Sequence, residues 1–375
     1  DMAYDDDLAE KLPRAHVAQP LLFADQVAFS RALALRGLQP AAVIGHSGGE
    51  VAAAHVAGAL SLEQALRLNL IRSTVQDEFF GRGAMAALQA PYEAVQEVLE
   101  LWRSGVLSVA AINSPKSVTI VGPQQDIDAF IHYARKAHRW ACVRLKVDYP
   151  FHSPVQDEIE SDLRDGLQGL RASATSIGFY STVSGVMESG NSLDADYWWR
   201  NVRNPVRYRD AVESAVSDGF ESFVEIGPDP VLTSYTRDTL SELGRDLALF
   251  HSGERRDTAT VNPVLRTAAR ALVYGASIDT ECLAARPDRP VRDLPSYPFQ
   301  LREFRAFDSR TITRISGAGS EFHPLLGIQQ ANDTPFWNNE VDAQTQPVLA
   351  DHFLAGRSIM PGMALAEMAL AATHR

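Results

Sequence analysis
The chain has 375 residues, 45% of them apolar and 22% charged, with a net charge of -12 and a mean hydropathy of -0.14. That is enough chain for two or three domains with real cores, and the acidic balance excludes nucleic acid as the main partner, because nothing neutralises phosphates in bulk. Two cysteines, Cys142 and Cys282, are too few for a disulfide framework and predict a reducing, cytoplasmic setting. No run reaches the length of a membrane span, and the first residues carry no signal-peptide pattern. Asp1 in the place of an initiator methionine, and an end inside an Ala-rich stretch, read as a piece of a longer protein.

Residues 16 to 38 carry helical periodicity through Val17, Leu21, Leu22, Val27, Ala28, Leu33 and Leu35. The apolar run Ala41-Ala42-Val43-Ile44 then predicts a buried strand, and the Ala-rich stretch Val51 to Leu60 a helix. Between them stands Gly45-His46-Ser47-Gly48-Gly49-Glu50. The glycines let the backbone turn sharply, which points the Ser47 hydroxyl outward at a helix N-terminus, where free N–H groups can hold an oxyanion. This strand–turn–helix context reads as a nucleophile elbow for acyl transfer. Ser61-Leu62-Glu63-Gln64 has the form of a capping box and starts a helix running to about Phe79.

Residues 84 to 147 change rhythm. Strands are predicted at Met85–Leu88, Leu107–Ile112, Val118–Val121 and Ala141–Val147, with helices at Tyr92–Trp102 and Gln125–Ala137. The order βαββαβ is that of a ferredoxin-like insert. The α/β pattern then resumes, with a strand at Phe223-Val224-Glu225-Ile226. From about 251 to 320 the chain turns polar, with clusters such as Arg286-Pro287-Asp288-Arg289-Pro290, and reads as a linker interrupted by one helix over Pro263 to Tyr274. A new apolar segment starts near His323.

A serine nucleophile needs a base. His46 adjoins Ser47, but neighbours along a strand face opposite ways, so it packs or braces the turn. His152 falls where the insert hands back to the main sheet, a favoured place for a site. His251 competes, in the Ser–Asp–His order of an α/β-hydrolase; the insert that follows the elbow favours His152. Arg72 interrupts a helix whose apolar face is read as Ala65, Leu66, Leu68, Leu70 and Ile71. A guanidinium held indoors needs an anion. Glu50 or Asp77 supplies it, or else the fork grips a substrate carboxylate through two parallel hydrogen bonds; the residues leave these two readings even.

Taken in order, the motifs spell a family. Gly45-His46-Ser47-Gly48-Gly49-Glu50, Arg72, Gly83-Ala84-Met85-Ala86, Ala111-Ile112-Asn113-Ser114-Pro115 and Phe151-His152-Ser153-Pro154 come first. Tyr197-Trp198, Asn201-x-Arg203-x-Pro205-Val206 and Val224-Glu225-Ile226-Gly227-Pro228 follow. Over residues 14 to about 250 the set resembles the acyltransferase domain of modular polyketide and fatty acid synthases. Leu294-Pro295-Ser296-Tyr297-Pro298-Phe299-Gln300 resembles the linker that closes such domains. His323-Pro324-Leu325-Leu326-Gly327, Trp337 and His352-x-x-x-Gly356-x-x-x-x-Pro361 resemble the start of a double-hotdog dehydratase.

The resemblance implies an α/β fold: a hydrolase-like parallel-sheet core in two parts, residues 1–83 and 148–250, with a ferredoxin-like subdomain at 84–147 between them. A post-acyltransferase linker over 251–320 and the beginning of a hotdog fold over 321–375 complete it. It makes Ser47 the acylated nucleophile, His152 the general base, Arg72 the clamp for the carboxylate of an extender unit, Asn201 the residue that steadies His152, and Gly48 N–H an oxyanion donor. His352 becomes the proton-abstracting base of the dehydratase. The implied reaction is ping-pong transfer of an acyl unit from CoA to the phosphopantetheine thiol of an acyl carrier protein, with no metal and no cofactor bound by the segment. The implied partners are an acyl-CoA, the carrier protein and flanking synthase domains of a homodimeric parent, with no membrane.

Three departures qualify it. The family begins with a strand and a Gly-Gln-Gly-Ser-Gln loop carrying the second oxyanion donor; without them the expectation is an unstable segment. One donor is worth about 2.7–4 kcal/mol in the barrier, a central strand the entire stability of about 5–15 kcal/mol. Gly48 stands where a larger residue is usual, which loosens the elbow. Tyr149-Pro150-Phe151-His152 mixes the His-Ala-Phe-His of malonyl-type domains with the Tyr-Ala-Ser-His of methylmalonyl-type ones. Phe151 crowds an α-methyl, which favours malonyl, although one methyl is worth only about 1–3 kcal/mol. The competing readings are an acyl-serine hydrolase of editing or thioesterase type and a catalytically silent structural segment.

Overall fold
The computed structural model describes residues 7–252, 262–278, 322–330, 334–339, 341–342, 346–349 and 351–374. The chain divides into two compact units, residues 1–288 and 289–375.

In the first unit a single helical turn, α1 (Leu8–Lys11), precedes the long helix α2 (Ala15–Ala34). Helix α2 stops short of the expected Leu38, and the left-handed Gly37 (φ 79°) turns the chain into strand β1 (Ala42–Ile44). Helix α3 (Gly49–Val56) follows the elbow, and α4 (Leu62–Asp77) opens on the expected capping box. Ser61 Oγ accepts from Gln64 N–H while the Gln64 side chain accepts from Ser61 N–H. The buried face of α4 differs from the one read by apolar spacing. Ala65, Leu68, Asn69, Arg72, Ser73, Gln76 and Asp77 face inward, whereas Leu66 and Leu70 are exposed. A helix that lines a polar site puts its polar residues inside, so hydrophobicity misassigns the face.

The insert forms as its pattern demands: β2 (Ala84–Gln89), α5 (Tyr92–Leu101), β3 (Ser108–Ser114), β4 (Ser117–Gly122), α6 (Gln124–Tyr133) and β5 (Ala141–Arg144). The strands lie in the order β3-β4-β2-β5, all antiparallel, which is the ferredoxin-like arrangement. Val95, Ile127, Phe130 and Ile131 of the two helices close over Ala86, Leu88, Val118 and Ile120 of the sheet. Helix α6 does not run to Ala137. It ends at Tyr133, widens into a π-turn over Ala134–His138 and stops at the left-handed Arg139.

The chain returns through α7 (Glu160–Gly166) to β6 (Gly178–Tyr180), which pairs parallel with β1, Ala42 opposite Gly178. Helices α8 (Ala195–Arg203) and α9 (Tyr208–Ser217), strand β7 (Ser222–Glu225), helix α10 (Leu232–Glu242) and strand β8 (Ala248–His251) follow, β7 and β8 again parallel. Among the described residues the parallel strands of the large subdomain thus form two pairs. Its core joins α2, α3 and α4 to Phe179, Tyr197 and Trp198. Of the polar stretch expected as a linker, Pro263–Val273 is helix α11; Arg286–Pro290 and Leu294–Gln300 lie outside the described residues.

In the second unit β9 (Phe322–His323), β10 (Gly327–Gln330) and β11 (Phe336–Asn338) make an antiparallel sheet in the order β11-β10-β9. The hairpin β12 (Phe353–Leu354)–β13 (Arg357–Ser358) turns on Ala355 and Gly356, both left-handed, and helix α12 (Gly362–Thr373) follows.

Candidate active site
The elbow packs closest at Gly45, where a Cβ would stand 2.3 Å from Glu50 Cα and N, so only glycine lets β1 and α3 meet. Ser47 itself adopts φ 54°, the left-handed region that an L-residue enters at a cost. His152 does the same, at φ 59°. Both rotations aim side chains at one point, and the Ser47 hydroxyl donates to His152 Nε2 at 2.7 Å.

The tautomer of His152 follows from its other nitrogen. Nδ1–H donates to the backbone carbonyl of Asn204 at 2.9 Å, which leaves Nε2 as an acceptor. The residue is 5% exposed. Burial, with the charges of Arg72 and His46 nearby, pushes its pKa down from 6.5 to about 3, so the imidazole is a neutral base at physiological pH. His251 ends β8 and makes no hydrogen bond to Ser47; of the two histidines weighed from sequence, the fold brings His152 to the serine.

Asn201 corrects the expectation made for it. It does not touch His152; its Nδ2 donates to Ser47 O at 3.2 Å and to Glu50 Oε2 at 2.8 Å. The steadying acceptor is a backbone carbonyl three residues later, at the end of α8, where side-chain identity carries no signal. Glu50, fully buried, collects the Thr182 N–H and hydroxyl, the Tyr197 hydroxyl and the Asn201 amide. Burial raises its pKa from 4.5 to about 7 against the pull of these donors.

Arg72 is 2% exposed and forms no ion pair with either expected acid. Its NH1 donates to Gln19 Oε1 at 2.6 Å and its NH2 to Ser47 Oγ at 3.0 Å. Burial lowers its pKa to about 10, with Glu50 as the partly compensating charge. Asp77 is committed elsewhere, to Arg14, His16, Ala15 N–H and the Tyr149 hydroxyl. Those bonds outweigh its desolvation and hold its carboxyl far below the usual range. Gly48 is explained by Arg72 rather than by a backbone requirement. Its φ is an ordinary -59°, but a Cβ there would stand 3.0 Å from Arg72 NH1.

Ser47, Gly48 and Arg72 open on a cavity of about 230 Å³ that Asn69, Gln76 and Phe151 also line. Phe151 stacks on Tyr149 at 4.6 Å. His46 sits at the rim as a brace, its Nε2–H donating to Asn113 Oδ1 at 2.9 Å, and Asn113 belongs to β3 of the insert. Gln19, Asn69 and Asn204 carried no signal in the sequence, and Asn113 stood within a family motif but without a role. Asn69 and Asn113 are polar residues on buried faces of regular elements, a signal that apolar spacing discards.

In the second unit His352 is exposed, and its Nδ1–H donates to Ile359 O at 3.0 Å, leaving Nε2 open. His323 stands 3.6 Å from Glu367. Among the described residues no His, Cys, Asp and Glu cluster could hold a metal, and no helix is long and apolar enough to cross a membrane.

A serine on a strand–helix elbow, a neutral histidine on its hydroxyl and a parallel-sheet core with a ferredoxin-like insert make the architecture of an acyl-transferring α/β protein. The chain belongs to the acyl transferase domain family, which it matches over residues 7–276, and residues 323–375 match the polyketide synthase dehydratase domain. It is 36% identical over 366 residues to erythronolide synthase EryA2 of Saccharopolyspora erythraea, covering 96% of this chain and 10% of that protein. It is 35% identical over 373 residues to the pikromycin polyketide synthase component PikAII of Streptomyces venezuelae, covering 97% and 10%. The chain thus spans a small part of the length of these relatives.

Among solved structures, the acyltransferase domain from module 8 of the salinomycin polyketide synthase superposes with a TM-score of 0.69 at 33% identity, over 72% of this chain and 63% of that one. The acyl-carrier-protein S-malonyltransferase of Bartonella henselae superposes with a TM-score of 0.61 at 26% identity, over 70% and 86%. The relatives are polyketide synthases, and the fold is that of their acyltransferase domains.

Proposed function
We propose that this chain loads a malonyl unit from malonyl-CoA onto the phosphopantetheine thiol of an acyl carrier protein, through an ester on Ser47. The observation that carries the reading is the Ser47 hydroxyl set 2.7 Å from a neutral His152 Nε2 and 3.0 Å from a buried, acid-free Arg72. Ser47 Oγ attacks the thioester carbonyl as its proton passes to His152 Nε2. The Gly48 N–H, which makes no backbone hydrogen bond among the described residues, faces the developing oxyanion. Collapse expels the CoA sulfur, which takes the proton back from His152. The pantetheine thiol then repeats the sequence on the acyl-serine, and Ser47 leaves with the returned proton.

Arg72 supplies the choice of substrate. A malonyl carboxylate neutralises a guanidinium that otherwise stays buried without an ion pair, while an acetyl unit leaves it so. Malonyl is favoured over methylmalonyl by Phe151, an aromatic wall of the cavity. The same buried cation disfavours a hydrolase for neutral acyl groups. The boundaries 1–83, 84–147, 148–250, 251–320 and 321–375 are our proposed division of the chain, and His352 the proposed base of a dehydratase. Carrier protein and flanking synthase domains belong to the same reading, supported by the synthase and acyl-carrier-protein transferase relatives, and a homodimeric parent and a cytoplasmic location are part of it.

The test is intact mass and peptide mapping of the full-length protein after brief incubation with malonyl-, methylmalonyl- and acetyl-CoA in competition. The expected result is a malonyl adduct on Ser47, absent from Ser47→Ala and exchanged for acetyl in Arg72→Ala. A methylmalonyl adduct in excess corrects the extender; an adduct that water releases faster than the carrier thiol favours the hydrolase.

A further inference from the structure
Asn69 lies one helical turn before Arg72 on the same face of α4, is 1% exposed, and lines the cavity beside Ser47. Its Oδ1 is sealed from solvent and has no hydrogen-bond partner. Its carboxamide as a whole makes no hydrogen bond among the described residues. A buried carboxamide is costly to leave unpaired, and native interiors rarely do so. Arg72 shows the same anomaly at the neighbouring atom. NH1 and NH2 are engaged by Gln19 and Ser47, but Nε, equally buried, has no partner. Two residues on one face of one helix, both lining one cavity, each carry a buried polar atom that no described residue satisfies, which marks a place where a ligand can supply the missing partners.

We propose that Asn69 is a substrate-recognition residue, whose carboxamide binds the free carboxylate of the acyl unit together with the Nε edge of Arg72. This role rests on the acyltransfer reading above. A guanidinium offers a carboxylate its strongest grip along an edge of two N–H groups, and Nε–H is the donor of Arg72 that the described residues leave without a partner. Long side chains in a helix lean back toward the preceding turn, and Asn69 stands on that turn, three residues before Arg72. Among the described residues no group holds either end of the carboxamide, so no hydrogen bond has to break for Nδ2–H₂ to meet the second carboxylate oxygen. An acyl group without a carboxylate has nothing to offer either residue. The pair therefore discriminates dicarboxylic from monocarboxylic acyl units more sharply than the arginine does by itself.

The test compares Ser47 loading from equimolar malonyl-CoA and acetyl-CoA in the full-length protein, for wild type, Asn69→Asp and Asn69→Leu. Melting temperatures are read alongside. Asp keeps the shape and repels a carboxylate; Leu keeps the volume and removes the donor. The expected result is a malonyl-to-acetyl ratio lowered about tenfold or more in Asn69→Asp and several-fold in Asn69→Leu, with acetyl loading retained. If Asn69→Asp does not fold, Asn69→Leu decides. A ratio within about twofold of wild type in a folded variant that still loads acetyl overturns the role of Asn69 and leaves the acyltransfer reading standing. A wild type that acquires no adduct on Ser47 overturns both.

Discussion
At the residue scale the chemistry turns on which protons are where. His152 holds its neutral form because burial and the nearby Arg72 guanidinium disfavour imidazolium, down to a pKa of about 3. The sign follows directly: protonation of the ring begins well below pH 6.5, and any stability linked to the neutral ring is present above 6.5 and lost as pH falls through about 3. We expect the pH profile of CoA release from malonyl-CoA to lack a step at pH 6.5; an acid limb with its midpoint there would mean a solvated histidine and a different base. Glu50 works in the opposite sense. Its folded pKa of about 7 exceeds the unfolded 4.5, so its contribution is complete below 4.5 and fades as pH rises through 7. Ser47, His152 and Arg72 were legible as residues. The backbone of Asn204 and the inward turn of Asn69 were not, because neither has a signature in side-chain type or apolar spacing.

At the scale of elements, the elbow is held by α8 rather than by its own turn. Glu50 on α3 gathers four donors, two from Thr182 and one each from Tyr197 and Asn201, and Asn201 also holds the Ser47 carbonyl. That network is what keeps Ser47 at a left-handed φ that a serine does not choose. Glu50→Ala leaves these donors buried and unpaired, at about 1–3 kcal/mol each before relaxation. The expected outcome is a loss of about 3 kcal/mol or more, seen as a fall of roughly 6–12 °C in melting temperature. A melting point within about 2 °C of wild type would show that water replaces the carboxylate. The capping box of α4 was readable because its bonds are local, three residues apart. Which face of α4 turns inward was not, since Leu66 and Leu70 are surrendered to solvent so that Asn69, Arg72 and Gln76 can line a cavity.

Across the first unit, the insert is part of the site. Strand β3 supplies Asn113, which accepts from His46 beside Ser47 and donates to Thr119 on β4. A backbone bridge, Ile112 N–H to Val206 O and Val206 N–H to Ala110 O, ties the same strand to the segment that carries the Asn204 carbonyl. Small displacements of reacting groups are expensive in rate. Asn113→Ala should therefore slow Ser47 acylation by about tenfold while the insert stays folded, checked by stopped-flow acylation and far-UV circular dichroism. A destabilised variant that acylates at the wild-type rate would reduce Asn113 to a structural role. By itself the sequence determined the elements that form through local bonds and regular spacing: the elbow, the capping box, the βαββαβ insert, and the serine, arginine and histidine offered for catalysis. Only the tertiary structure decided that His152 rather than His251 meets Ser47, that Arg72 stays free of Glu50 and Asp77, and that Asn201 serves the elbow instead of the base. Those outcomes depend on contacts between segments up to about 150 residues apart, and such contacts leave no periodicity in the chain.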